Sequence, residues 1–276
     1  MLGKPRRTEV ATSPRTDCAA GFRKHALSRR RFLRAAAVVA TGSAGLARAA
    51  EGANRKVVVG AHPWVYAATQ PEYDITPILD RIFADMKYAG MDGIELMHPA
   101  LRPDDAVERI GALSEKHRLP VIGMSFGGKM WDRAAHSAVL EDAELVIDRL
   151  SKLGGRTLGT SVGGAPKPKT AEQLDAQANL LKKIIAFADA RGVVVNLHNH
   201  TYEVENNMHD LRGTLERLPE VRLGPDLNWL LRGGVDPVGF IRTFSDRIVF
   251  LHLRDQYANG RWSEAMGDGD MDYEAI

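Results

Sequence analysis

Three side chains in this sequence are of the types that hold a divalent cation: His198, Asp226 and His252. Imidazole nitrogen combined with carboxylate oxygen favours Mn²⁺, Zn²⁺, Co²⁺ or Fe²⁺ over Mg²⁺ or Ca²⁺, which prefer oxygen-only surroundings. His198 stands near the end of Val193-Val194-Val195-Asn196-Leu197-His198-Asn199-His200. The β-branched start of that run predicts a buried strand, and the two-residue period of a strand puts Asn196, His198 and His200 on one face. Asp226 and His252 each close a further short apolar run, so every candidate ligand stands at the C-terminal end of a predicted strand. An ordinary hydrogen-bonded rim residue is the competing reading for each one alone; three on consecutive strands favour a cation.

The elements that must position them follow from periodicity. Strands are predicted over residues 55–61, 93–97, 119–126, 156–161, 193–200, 221–226 and 248–252. Helices are predicted over 75–88, 104–117, 136–153, 171–191, 210–218 and 236–244. In the first, Ile78, Leu79, Ile82, Phe83 and Met86 share a face; in the third, Val139, Ala143, Val146, Ile147 and Leu150 form one stripe. Strand–helix alternation implies a parallel α/β architecture. A doubly wound nucleotide-binding sheet would carry a glycine-rich turn after its first strand, and Gly60-Ala61-His62-Pro63-Trp64 is not one. Polar residues at nearly every strand end (His62, Glu95, Ser125, Ser161, His198, Asp226, His252) fit the rim of a (β/α)₈ TIM barrel. With seven strands in view, the eighth is expected beyond Ile276.

The N-terminal segment reads as a leader. Ser28-Arg29-Arg30-Arg31-Phe32-Leu33-Arg34 fits a twin-arginine export signal, followed by an Ala-rich run too short to span a bilayer and a small-x-small cleavage site, Ala47-Arg48-Ala49. Residues 1–49 hold eleven Lys/Arg and two Asp/Glu, a charge of +9; the whole chain is +2, which leaves −7 for residues 50–276. An acidic body argues against a nucleic-acid partner. The single cysteine, Cys18, leaves with the leader, so thiolate chemistry and disulfides are excluded from the mature domain. The expected product is a periplasmic protein without a membrane anchor; pairing into a homo-oligomer is left open.

Gly93-Ile94-Glu95-Leu96, Leu197-His198-Asn199-His200, Leu223-Gly224-Pro225-Asp226-Leu227-Asn228, Val249-Phe250-Leu251-His252-Leu253-Arg254-Asp255 and Gly267-Asp268-Gly269-Asp270-Met271-Asp272 resemble, in order and spacing, the landmarks of xylose-isomerase-like barrels, the sugar (phosphate) isomerase/epimerase family. Endonuclease IV shares that fold. The resemblance implies a divalent cation held by four groups from strands five to eight, with Asp226 and His252 at two ligand positions. His198 stands where relatives usually carry glutamate, Trp229 where they often carry histidine, and the eighth-strand glutamate would lie beyond Ile276. It further implies a carbohydrate substrate and a metal-stabilised enediolate, with carboxylates moving the α-proton.

Since His198 replaces one of those carboxylates, Glu95 and His200 are the candidate proton-transfer groups. Glu95 alternatively pairs with a cation or binds substrate hydroxyls, and His200 alternatively supports His198 from behind. His62, Trp64, Asn228, Trp229 and Arg254 are candidate substrate contacts, the tryptophans as a stacking wall or as core. Arg254 shares a face with His252 and could grip an oxyanion or carboxylate; Asp255, opposite, is expected to orient its loop. Glu203, Glu205 and His209 read as solvated loop residues. The expected activity is isomerisation or epimerisation of a sugar or keto-sugar, against a lyase or hydratase acting on 3-keto glycosides, a non-catalytic sugar-binding barrel, or an endonuclease IV-type enzyme.

Overall fold

A computed structural model describes residues 57–276; the leader and Cys18 lie outside the described residues. Six parallel strands form one sheet in chain order: β1 (Gly60–Ala61), β2 (Gly93–Met97), β3 (Val121–Gly127), β4 (Thr157–Ser161), β5 (Val194–Leu197) and β6 (Arg222–Leu223). The helices are α1 (Trp64–Ala67), α2 (Leu79–Tyr88), α3 (Ala106–His117), α4 (His136–Lys152), α5 (Ala171–Asp189), α6 (Thr201–Arg217), α7 (Leu227–Arg232) and α8 (Pro237–Phe244). This is a TIM-barrel-like parallel α/β fold whose sheet is not closed among the described residues.

The apolar periodicity accounts for the packing. Leu79, Ile82, Phe83 and Met86 of α2 are buried, as are Ala143, Val146, Ile147 and Leu150 of α4. They cover strands whose residues, such as Ile94, Leu96, Met124 and Leu158, are themselves buried, as a parallel sheet clothed by helices requires. A capping box starts α5: Gln173 N–H donates to Thr170 Oγ1 at 3.3 Å, and Thr170 N–H donates to Gln173 Oε1 at 2.9 Å.

Several expected elements differ. Val57–Val59 is not strand: Val57 and Val58 are exposed, and Val59 is tied to Asp92 through both its backbone groups. The helix expected at 75–88 opens with a 3₁₀ turn, Thr76–Ile78, because Pro77 supplies no N–H. The expected helix 210–218 begins earlier, at Thr201, and is interrupted where Asn206, Asn207 and Met208 take left-handed backbone angles. β5 ends at Leu197, one residue before His198. The expected seventh strand, 248–252, is attached only by isolated bridges, Leu223 to Ile248 and Asp226 to His252, with Val249 and Leu251 exposed. Those bridges still deliver His252 to the end of β6.

One glycine makes the interior possible. A Cβ at Gly224 would lie 1.9 Å from Asn196 Oδ1, so a larger residue after β6 would evict the Asn196 amide from the barrel interior.

Candidate metal centre

Backbone hydrogen bonds bring the three ligand candidates together. The His198 N–H continues the ladder past β5, donating to Thr160 O at 2.9 Å. His252 N–H donates to Pro225 O at 3.0 Å, and Leu227 N–H returns to His252 O at 3.2 Å, locking His252 beside Asp226. Asn199 clamps Asp226 from the other side: its Oδ1 accepts from Asp226 N–H at 3.1 Å and its Nδ2 donates to Asp226 O at 3.2 Å.

One ligand atom from each of His198, Asp226 and His252 falls within 4.8 Å of the others. The two Nδ1 atoms of His198 and His252 are 2.9 Å apart, close enough that a proton or a cation must sit between their lone pairs. Burial, with the neighbouring His252, His200 and Arg254 charges, pushes His198 well below the ordinary histidine value, which keeps its ring neutral and able to ligate. Asp226 splits its carboxylate between two tasks. Oδ1 caps α7, accepting from Asn228 N–H at 3.1 Å and Trp229 N–H at 3.0 Å. Oδ2 is buried without an aligned hydrogen bond; Arg254 Nε approaches it at 3.1 Å as an ion pair. Two imidazoles and an orphaned carboxylate oxygen fit a divalent cation and leave positions open for a substrate.

Glu95, on β2, reaches the same cluster. Its Oε2 hydrogen-bonds His252 Nε2. Burial pulls His252 down, but the Glu95 charge and hydrogen bond outweigh it and raise His252. Glu95 would be pushed up by its own burial, yet His252 holds it below the usual carboxylate range. Glu95 therefore sits behind a ligand candidate, the arrangement that fixes an imidazole's orientation and basicity where it faces a metal. His62 lies edge-on to His252 at 5.7 Å between ring centroids, with Nε2 2.9 Å from Ser125 Oγ. Burial lowers its pKa to about 4, so it is a neutral imidazole at the rim.

His200 stands over the ligands, its ring 5.0 Å from that of His198, stacked at 5.4 Å on Tyr202 and 5.9 Å from Trp229. Its seat is built by Glu203, which is buried rather than solvated, contrary to the sequence expectation. Glu203 accepts from Ser161 Oγ at 2.7 Å, from Val162 N–H at 3.2 Å and from the His200 N–H at 2.5 Å. Three donors repay the burial of its charge. The sequence signal was the Glu three residues after His200, the spacing of a capping box, with histidine in place of the usual serine or threonine. Glu205 and His209 are exposed, as expected.

The remaining candidates divide. Trp229 faces Trp262 edge-on at 5.4 Å, and Arg254 lies 5.5 Å from the Trp229 ring. Asn228 is fully buried, donating to Met271 Sδ at 3.2 Å and accepting from Arg232 Nε at 3.2 Å, which spends its amide on packing. Trp64 stacks its ring on Tyr73 at 5.4 Å, and its backbone N–H donates to His62 Nδ1 at 3.2 Å. Asp255 orients its loop as expected: its carboxylate accepts from the N–H groups of Gln256, Gly267, Gly269 and Met271 at 2.8–3.3 Å. Arg232 and Trp262, in contact at 3.7 Å, had no place in the sequence reading, since neither ends a strand.

Several solved structures share the fold at low identity. A sugar phosphate isomerase/epimerase from Parabacteroides distasonis is 14% identical, with a TM-score of 0.62, over 84% of this chain and 83% of that one. D-allulose 3-epimerase from Methylomonas sp. is 18% identical, with a TM-score of 0.62, over 79% and 77%. The 3-keto-D-glucoside 4-epimerase of E. coli is 17% identical, with a TM-score of 0.61, over 79% and 84%. No curated protein matches the chain in sequence. The family model described as xylose isomerase-like TIM barrel matches residues 83–276, which include every ligand candidate. The chain belongs to the xylose isomerase-like TIM barrel family.

Proposed function

We propose that the protein is a divalent-metal-dependent isomerase or epimerase acting on a sugar or keto-sugar. The observation that carries this reading is the convergence of His198, Asp226 and His252, with the two Nδ1 atoms 2.9 Å apart and Asp226 Oδ2 buried beside them. These residues would hold Mn²⁺, Zn²⁺, Co²⁺ or Fe²⁺ in preference to Mg²⁺. When bound, such a cation draws electron density from a substrate carbonyl and acidifies the adjacent C–H. Asp226, anchored by Asn199 and by its cap on α7, would hold the cation beside the two imidazoles. Glu95 orients His252, and His200, half-exposed above His198, takes and returns the proton. Relatives of known activity in this fold include D-allulose 3-epimerase and 3-keto-D-glucoside 4-epimerase, which favours a free sugar or oxidised glycoside as substrate.

His198 in a position where a carboxylate could have served as a second base favours one further reading, a lyase or hydratase on 3-keto glycosides, because elimination needs proton transfer on one face only. Incubating the metal-loaded protein with ketoses and 3-keto glycosides in D₂O separates the two. Deuterium at the carbon beside the carbonyl in recovered or isomeric sugar supports isomerisation, and an unsaturated product supports elimination. Purified protein without bound transition metal, or a His198→Ala variant with full turnover, would overturn the proposal. Export to the periplasm is inferred from residues 28–49, and replacing Arg29, Arg30 and Arg31 by Lys should retain the protein in the cytoplasm.

A further inference from the structure

We infer that the substrate carries a carboxylate, gripped at the mouth of the site by Arg232 and Arg254 between the indoles of Trp229 and Trp262. This deepens the sugar-isomerase reading and rests on it.

The mouth collects cationic donors with little to neutralise them. Arg232 lies 3.7 Å over the Trp262 ring and 5.5 Å from Trp229; Arg254 lies 5.4 Å and 5.5 Å from the same two rings. Arg232 is hydrogen-bonded to neutral oxygens: Asn228 Oδ1 at 3.2 Å, Gln256 Oε1 at 2.9 Å and Gly260 O. Among the described residues, the one carboxylate within ion-pair distance of either guanidinium is Asp226, on Arg254. Asp226 is also a ligand candidate, and a cation bound there would compete for the same oxygen. Both guanidiniums would then be left with neutral partners. Burial and the Arg254 charge lower Arg232 below the ordinary arginine value. A third donor belongs to the same group: the Trp229 Nε1–H is buried with no acceptor.

The chemistry selects a carboxylate over a phosphate. The planar fork of a guanidinium takes two oxygens of either anion, so the choice rests on the donors around it. The helix N-terminus nearest the ligands, that of α7, would suit a phosphate, but its N–H groups are taken by Asp226 Oδ1. The expected substrate class is thus a sugar acid, with its carbonyl toward the cation and its carboxylate toward the arginines.

Calorimetric titration of the metal-loaded, full-length protein with D-glucuronate, D-glucose and D-glucose 6-phosphate tests this. Glucuronate should bind at least tenfold tighter than glucose and tighter than the phosphate, and added salt should erode the difference. Arg232→Gln should remove most of that preference while circular dichroism and metal content stay unchanged; Arg232→Lys, which keeps charge but loses the fork, should fall between. Equal binding of glucuronate and glucose, a preference for the phosphate, or a glucuronate preference that survives Arg232→Gln would each overturn the inference. Failure of the two readings is distinguishable. Metal uptake and turnover of neutral sugars without uronate preference removes this inference alone, whereas uronate binding by a protein that takes up no metal removes the isomerase reading alone.

Discussion

Glu95 and His252 are separated by 157 positions in sequence, yet Glu95 Oε2 and His252 Nε2 share a hydrogen bond in the barrel interior. The bond crosses the interior from β2 to the 248–252 segment, two parts of the fold that no ladder joins directly. It leaves His252 Nδ1 directed at His198, so the tautomer a cation needs is set from behind.

Glu95→Gln should therefore weaken metal affinity about 10- to 100-fold, with the fold intact. Competition with a fluorescent chelator measures it. Unchanged affinity alongside lost turnover would move Glu95 from behind the ligand to the substrate.

Asp226 performs two tasks that substitution can separate. Asp226→Asn should keep the α7 cap and lose metal, whereas Asp226→Ala should lose metal and a further ~1 kcal/mol of stability. Urea unfolding of the two variants reads the difference; identical midpoints would show that the cap contributes nothing.

Glu203→Ala should leave Ser161 Oγ, Val162 N–H and the His200 N–H without their shared acceptor. A loss of about 1–3 kcal/mol per unpaired buried donor is the expected scale, with turnover falling more than metal content. Metal loss in step with turnover would place Glu203's effect on His198 rather than His200.

Acid should destabilise the fold through His62. Its folded pKa, about 4, is below the ordinary value of 6.5, so the unfolded chain binds the proton more readily. The stability this contributes is complete above pH 6.5 and is lost as pH falls from 6.5 toward 4. Thermal unfolding between pH 7.5 and 4.5 should show that slope, shallower in His62→Gln; parallel slopes would contradict the burial of a neutral ring.

Strands and helices with clean periodicity were legible: β2 and the inward faces of α2 and α4 carry the expected residues because a fully buried strand and a one-sided helix leave unmistakable apolar patterns. The 248–252 run carries a strand-like pattern too, but pattern does not supply a partner, and two of its apolar residues are exposed. The three ligand candidates were legible because ionisable residues ending greasy runs are conspicuous. Glu203 was not, since burial of a carboxylate depends on donors from Ser161 and Val162, about 40 positions away. The meeting of Arg232 with Trp262 depends likewise on the path of a long loop that has no period to read.

That loop leaves the site at Gln256 and returns at Gly267, and both its ends converge on the single carboxylate of Asp255. A Cβ at Gly269 would lie 2.2 Å from Asp255 Oδ1, so the clasp tolerates no bulk at its closing point. With the base pinned this way, the stretch between is mechanically insulated: a change within it, at Trp262 for example, is stopped at the Asp255 clasp before it reaches the backbone that sets His252 beside Asp226.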